Sequence, residues 1–440
     1  MKKVFIETYG CQMNQADSGI VGKILSTSNY SITMDENEAD IILINTCAVR
    51  DNAEKRIHNR LHDLNALRKK KSYLKVGIIG CMAERLKDSL INEDRVDIVA
   101  GPDSYRKLPE LIKKSEKNNA SIDVNLSEDE TYQDIIPMEI NSNNITAFIS
   151  IMRGCENFCS YCVVPYTRGK ERSRDPKTIV EQAKNLFDKG YRDITLLGQN
   201  VNSYIYNKGE GEKEVNFARL MAMVAQINPL LRVRFATSHP KDISRELIDT
   251  IAKYDNICKY IHLPVQSGSN NMLKKMNRKY TIDEYKEKIS WIRQAIPECS
   301  ISTDIIAGFC SETIEDHKQT IEIMKWVGYD SAYMFKYSQR PGTLAAKKYE
   351  DDITEQEKTR RLEEIIDVQR ELSLKSNQKD IGKTFEILIE GESKRDNTKL
   401  FGRNSQNKVI IVDKGNHKLG EYLNVKVNNC TSATLFGEEI

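Results

Sequence analysis

The spacing of apolar residues changes twice along this chain. Over residues 1–118, short apolar runs at Val4–Thr8, Ala39–Asn45, Leu74–Ile79 and Val96–Ala100 alternate with helix-like stretches such as Asp51–Lys70. Such runs suit strands buried on both faces, and the βαβα order predicts a mostly parallel open sheet covered by helices. Residues 113–144 break the pattern with Lys, Asn, Asp, Glu and Ser, and 119–144 reads as a linker or irregular strap. Its run Ser127-Glu128-Asp129-Glu130 reads as a solvated face. Alternation resumes over 145–375, with strands expected at Ala147–Ile151, Asp193–Leu197, Val233–Ala236, Lys259–Leu263, Ile301–Ile306 and Ala332–Phe335. That count fits a partial six-stranded (β/α) barrel, closed by a charged helix over 354–375. From 376 to 440 the period shortens at Phe385–Ile389, Lys408–Val412 and Tyr422–Val427, which predicts a small five-stranded β-barrel of OB-like form. The fold class is therefore α/β with a small all-β module at the end.

Composition narrows the class. The chain has 440 residues, room for two to four domains, and 39% hydrophobic residues, enough for packed cores. Its 66 basic and 64 acidic residues nearly cancel, which excludes a strongly basic tail binder but not local basic patches. No apolar run approaches the ~20 residues that span a membrane. An acid at Glu7 interrupts any secretory signal core. A soluble, cytoplasmic, monomeric protein with no membrane partner is the expectation.

The ten cysteines are too sparse for a disulfide scaffold, so metal binding is the better reading for any tight group. Cys155, Cys159 and Cys162 form C-x3-C-x2-C just after the first strand of the central domain. Three thiolates at this spacing can converge on one soft-metal centre. A structural zinc site wants a fourth ligand, and none follows at finger spacing. Three thiolates on a four-iron cluster leave one iron open, a catalytic arrangement, and barrel-like domains work at this end of their strands. Zinc with a distant ligand and chance spacing are the other readings. Cys11, Cys47 and Cys81 each follow a successive predicted strand. Spacing alone leaves two readings of these: a second trio at one sheet edge, or ordinary buried cysteines at strand ends. Cys258, Cys299, Cys310 and Cys430 read as core residues or free thiols.

Basic residues Arg168, Lys170, Arg172 and Arg174 follow the central cysteines. They read either as a solvated loop or, the favoured reading, as phosphate contacts for RNA near the chemistry. Polar residues recur where later strands end: Gln199 to Ser203, Thr237 to Pro240, His262 to Ser269 and Asp304. That is the pattern of a site spread around a barrel mouth. Neither His239 nor His262 is assigned as a general base. On the last module, Lys394, Arg395 and Arg403 place cations on turns of the small barrel, a surface suited to a polynucleotide backbone or to solubility alone.

C-x3-C-x2-C is the signature of radical S-adenosylmethionine enzymes, and nearly the whole chain resembles the methylthiotransferase family within them. The resemblance is carried by Thr8-Tyr9-Gly10-Cys11-Gln12-Met13-Asn14, Asn45-Thr46-Cys47-Ala48-Val49-Arg50 and Gly80-Cys81-Met82-Ala83-Glu84-Arg85 in the first domain, with the strand-end segments and Tyr337 to Thr343 in the core. The last module resembles the TRAM domain, an RNA-binding unit. The resemblance implies two [4Fe–4S] clusters with open irons, one on Cys155, Cys159 and Cys162, an auxiliary one on Cys11, Cys47 and Cys81. It implies that Ser267, Arg278 and Asp304 line the S-adenosylmethionine pocket. The implied reaction uses two S-adenosylmethionine molecules. A 5′-deoxyadenosyl radical takes hydrogen from C2 of N6-isopentenyladenosine at position 37 of tRNAs reading codons that begin with U. Sulfur is inserted there and then methylated. The implied partners are that tRNA, a flavodoxin- or ferredoxin-type electron donor and a sulfur donor. Cys310-Ser311 stands where the family usually has Pro-Gly, which alters a turn. Two alternatives remain: a sibling acting on threonylcarbamoyladenosine tRNA or a ribosomal-protein aspartate, and a non-catalytic iron–sulfur RNA-binding protein.

Overall fold

The computed structural model describes residues 1–47, 51–92, 96–117, 120–140, 143–207, 209 and 214–440, the side chains of 51–55 and 88 excepted. The first sheet contains β1 (Lys2–Thr8), β2 (Tyr30–Thr33), β3 (Ile41–Thr46), β4 (Lys75–Gly80), β5 (Ile98–Ala100) and β6 (Ser121–Asp123). Its order is β2-β1-β3-β4-β5-β6 and every pairing is parallel. The four expected strands are its centre. The two edges were not predicted, because β2 is short and β6 lies in the polar segment read as a linker. That segment is a strap: Tyr132 is buried and stacks on Tyr105 with ring centroids 5.7 Å apart.

The central region contains β7 (Thr146–Ser150), the short β8 (Met152–Arg153) and β9 (Arg172–Ser173), β10 (Asp193–Leu197), the short β11 (Ile205–Tyr206) and β12 (Val215–Asn216), β13 (Arg232–Ala236), β14 (Tyr260–His262), β15 (Ser300–Ala307) and β16 (Ser331–Lys336). All six expected strands are present. They form two parallel sheets, β13-β10-β7 and β14-β15-β16, joined by a bridge between Val233 and Ile257. Helices cover them through one large apolar core that includes Ile179, Leu220, Ile248, Ile292 and Met324. The closing helix, Glu355–Gln378, packs along β16.

The last module is a closed barrel of β17 (Thr384–Glu392), β18 (Lys399–Arg403), β19 (Val409–Asp413), β20 (Tyr422–Cys430) and β21 (Leu435–Glu439), ordered β17-β18-β19-β21-β20. It sits over the N-terminal ends of the core strands. Arg234 bridges Asp193 (2.7 Å) and the Asn404 carbonyl (2.9 Å). The Lys259 amide donates to Ser405 (2.9 Å), and the Tyr422 hydroxyl to the Leu230 carbonyl (2.7 Å).

The first domain docks on the opposite end through buried charge. Asp17 is fully buried and takes Arg153 (2.9 Å) and Arg168 (2.8 Å). Asp103 takes Arg172 (2.9 Å) and lies 3.6 Å from Arg153. The Arg153 guanidinium also rests over the Tyr132 ring, 4.9 Å from its centroid. Removing one member of such a network strands the other charges in low dielectric. Asp17→Ala should therefore cost about 3–5 kcal/mol. Denaturant titration should show the loss, and protease should release the first domain sooner than in wild type; an unchanged midpoint would contradict the role of this network.

Cys310-Ser311 also has a structural account. Cys310 is buried among Met272, Met276, Phe309 and Tyr337. Ser311 sits at φ 58°, the left-handed region, where an L side chain is disfavoured. It is held there by its amide donating to Asp352 (2.6 Å). Ser311→Gly should stabilise the turn by about 0.5–1 kcal/mol. The thermal midpoint should rise slightly, and a fall would contradict the strain.

Candidate functional site

The central cysteines lie in a loop between β8 and β9, just past the C-terminal end of β7. Gly154, at φ 81°, begins it; a side chain there would overlap the Lys170 carbonyl, so the two arms cross only because this residue is glycine. The Cys155 amide then donates to the Gly169 carbonyl (3.1 Å). Phe158, at φ 48°, reverses the chain between Cys155 and Cys159, and Asn277 Nδ2 holds the Phe158 carbonyl (2.8 Å). Donors reach each sulfur: the Val164 amide on Cys162 (3.5 Å), Arg278 Nη1 on Cys159 (3.4 Å) and Asn157 on Cys155. Burial pushes Cys155 up to about 11 and Cys162 to about 12, and the neighbouring Cys159 adds to both. Three thiols this close resist ionising together unless a cation joins them.

Cys11, Cys47 and Cys81 follow β1, β3 and β4, which are adjacent in the sheet. Thr8 pairs with Asn45 and Thr46 with Gly80, so the three strands end level. Asn14 ties the edge together. Its Nδ2 donates to Asn45 Oδ1 and the Thr46 carbonyl, both at 3.0 Å, and its Oδ1 lies 3.3 Å from Cys11 Sγ. A hydrogen bond with Cys47, then the charge of Arg168, pull the Cys11 thiol down to about 6. Cys81 is buried, and Arg168 Nε donates to its sulfur (3.2 Å). Ala48-Val49-Arg50 lies outside the described residues.

The two trios meet at the domain junction, where Cys81 packs on Val163, next to Cys162. Met13 and Ala16, just beyond Cys11, pack on Phe148 in the middle of β7 and on Leu197 and Ala236 at the C-terminal ends of β10 and β13. Buried polar atoms without partners gather at the same strand ends: Asn157 Oδ1, Gln199 Oε1, Ser238 Oγ and His239 Nε2. Burial, aided by the Arg278 charge, holds His239 down to about 2, so its ring stays neutral. Thr237 (φ 73°) and Gln266 (φ 66°) add strained backbone there. Among the described residues, no three Cys, His or acidic side chains close on a point as the ligands of one ion would. A four-iron cube spaces its thiolates more widely. Three-sulfur sets with N–H donors, beside orphaned polar atoms, fit such clusters and a polar cofactor.

The other sequence-derived candidates divide. Arg278 is buried beside Cys159, with Nη2 on the Pro264 carbonyl (2.8 Å). Ser267 bonds Thr320 (3.3 Å) and the Ser269 amide (3.2 Å). Asp304 is half-buried, 3.4 Å from His262 Nε2. Arg168, Arg172 and Arg174 correct the sequence reading: all three are buried and internally bonded, and none offers a guanidinium to RNA. Arg174 spends its donors on Gln182 and Thr178. Of that run only Lys170 is exposed, opposite Glu128 (3.3 Å). Lys394 and Arg395 are exposed on the turn between β17 and β18. Arg403 is instead tied to Glu390 (2.7 Å) and Asn407 (2.9 Å). Sequence reasoning missed Asp17, Asp103 and Arg153, which carry no local signal: Asp17 lies in a largely polar helix, Asp103 in a turn and Arg153 in a two-residue strand. It also missed Arg340, a buried core arginine that bears electrostatically on Cys47.

Three family models match the chain: "Uncharacterized protein family UPF0004" over residues 3–101, the radical SAM superfamily over 149–324 and the TRAM domain over 378–440. The tRNA-2-methylthio-N(6)-dimethylallyladenosine synthase of Bacteroides fragilis is 53% identical over 439 residues, covering 100% of this chain and 96% of that protein. The enzyme of the same name from Bacteroides thetaiotaomicron is 54% identical with the same coverage. Among solved structures, the radical S-adenosylmethionine methyltransferase TsrM from Kitasatospora setae shares the fold at TM-score 0.55 and 12% identity, over 76% of this chain and 73% of that one. The cobalamin-dependent radical enzyme OxsB also matches at TM-score 0.55, with 13% identity over 78% of this chain and 54% of that one. With end-to-end identity above half, the chain belongs to the tRNA-2-methylthio-N(6)-dimethylallyladenosine synthase family of radical S-adenosylmethionine enzymes.

Proposed function

We propose that this protein attaches a methylthio group to C2 of N6-isopentenyladenosine at position 37 of tRNAs reading codons that begin with U. The observation that carries the reading is two cysteine trios meeting at the domain junction, in a chain of this family. Cys155, Cys159 and Cys162 would hold one [4Fe–4S] cluster and Cys11, Cys47 and Cys81 a second. When bound, the clusters and two S-adenosylmethionine molecules supply the radical, sulfur and methyl chemistry.

The chain's own residues prepare that site. We assign β7, β10, β13, β14, β15 and β16 to one partial (β/α) barrel whose mouth receives the base. Arg278 fixes Cys159, and with Ser267 and Asp304 it makes the cofactor pocket. Neutral His239 and the amides of Gln199 and Asn200 orient polar groups there. Met13 and Ala16 close the mouth against Phe148 and Leu197, which keeps water from the reacting atoms. An unstacked base in an anticodon loop enters at low cost. Lys170, Lys394 and Arg395 are the exposed cations left to meet phosphate. The division of labour is 1–118 for the auxiliary centre, 119–144 as the strap, 145–375 for the radical core and 376–440 for RNA. The protein works as a cytoplasmic monomer, with a flavodoxin- or ferredoxin-type electron donor and a separate sulfur donor.

Two measurements test this. Anaerobic wild-type protein should carry about eight irons per chain, and the triple change Cys155→Ala, Cys159→Ala, Cys162→Ala should leave about four. Zinc in place of iron, or loss of all iron in the triple variant, would break the two-centre reading. Dithionite-reduced protein given isopentenylated tRNA and S-adenosylmethionine should yield 5′-deoxyadenosine and the 2-methylthio nucleoside by mass spectrometry. Deoxyadenosine without the nucleoside would favour a sibling substrate; neither product would favour a non-catalytic binder.

A further inference from the structure

Arg168 is the residue whose bonding the docking of the domains does not explain. It is buried, and it belongs to the core, yet it reaches across the junction. One nitrogen, Nη2, serves Asp17 (2.8 Å). Nε goes to Cys81 Sγ (3.2 Å). Nη1 is buried without a partner, as Nε is in Arg153 and Arg172, and such an omission ordinarily costs about 1–3 kcal/mol. The other two junction arginines turn these donors to oxygen: Arg172 places two nitrogens on Asp103 at 2.9 and 3.2 Å, and Arg153 divides Nη1 and Nη2 between Asp17 (2.9 Å) and the Pro102 carbonyl (3.0 Å). The charges do not balance either. Among the described residues, the ion pairs of Arg153, Arg168 and Arg172 are with Asp17 and Asp103 alone. One positive charge is left over, and it lies against the first-domain cysteines.

We propose that Arg168 is a positioning residue of the first-domain centre: from the core side it donates into the Cys81 thiolate, stabilises the centre's negative charge and thereby raises its reduction potential. The inference rests on the reading of Cys11, Cys47 and Cys81 as cluster ligands. Its physical basis is general. Reduction adds negative charge, and a hydrogen bond or cation at a ligand sulfur favours the more negative state. The spare N–H and the excess charge are both accounted for once anionic sulfur fills the site. Docking of the two domains then sets the electronics of the first centre, because the donor comes from the other domain.

The test uses the full-length chain carrying Cys155→Ala, Cys159→Ala and Cys162→Ala, so that only the first-domain centre reports. Into it go Arg168→Gln, Arg168→Lys and, separately, Asp103→Asn, which weakens the junction but leaves Arg168 on Cys81. Iron content and the midpoint potential, followed by electron paramagnetic resonance, are read for each. Arg168→Gln should hold about four irons and titrate at a more negative potential than the parent, Arg168→Lys should fall between them, and Asp103→Asn should match the parent. Loss of iron in Arg168→Gln alone, with Asp103→Asn still loaded, also supports the assignment. An unchanged potential in Arg168→Gln overturns it, as do equal shifts or equal iron loss in Arg168→Gln and Asp103→Asn, which would reduce Arg168 to a staple. A parent without iron would instead sink the two-trio reading itself.

Discussion

Two buried carboxylates, Asp17 and Asp103, decide how this molecule is assembled. Each sits in the first domain and each draws guanidinium groups from the core. Buried ion pairs add little net stability, because desolvation offsets most of their attraction. They are strongly directional instead. An apolar junction could slide by a residue at small cost, whereas a slip here leaves charges unpaired in low dielectric. The first-domain cysteines must meet the core mouth in one register, and charge fixes a register better than grease does. The aromatic strap completes the arrangement. Tyr132 lies under Arg153 and against Tyr105, so the polar segment before β7 closes over the junction rather than linking two free bodies.

The other end of the core is shut by the small barrel. Arg234 and Asp193 would form a buried pair open to water beneath the strands, but the Asn404 carbonyl caps the guanidinium. The Ser405 hydroxyl and the Tyr422 hydroxyl take further edge groups. The small barrel therefore stands at the opposite end of the core strands from the cysteines. Any RNA contact through Lys394 and Arg395 would be with a part of the nucleic acid remote from the reacting base, and would contribute affinity rather than base choice.

Much of this was legible in the sequence, and the failures have physical causes. The grouping of the central cysteines is legible because one loop carries all three. The first trio is legible only through topology: the cysteines are far apart in sequence, and β1, β3 and β4 happen to be neighbours that end level. The core strands were readable because both of their faces are buried. The edges β2 and β6 were not, since an edge strand needs few apolar residues. The arginines after Cys162 were misread for a deeper reason. Arg168, Arg172 and Arg174 look like a cationic surface run, and Lys170 is one. What distinguishes Arg168 and Arg172 is a carboxylate more than sixty residues away in sequence, Asp17 and Asp103, and no local pattern encodes that; Arg174 is instead taken up by Thr178 and Gln182 on the helix that follows it.

Backbone strain at the mouth follows from the same assembly. Thr237, at φ 73°, is β-branched in a region that such residues avoid, and Gln266 and Phe158 are strained beside it. Strain of this kind, about 1–3 kcal/mol per residue, persists only where neighbours hold it. Here they do: the Val201 amide donates to the Thr237 carbonyl (2.9 Å), the Gln266 amide to the Asp304 carbonyl (2.9 Å), and Asn277 grips the Phe158 carbonyl. The strained positions belong to three different segments, and these hydrogen bonds fix the direction of each. A loop free to relax would lose those directions and would have to recover them on each binding event. Holding them in the folded state moves the ordering cost from catalysis to folding, where the large core of the central region can absorb it.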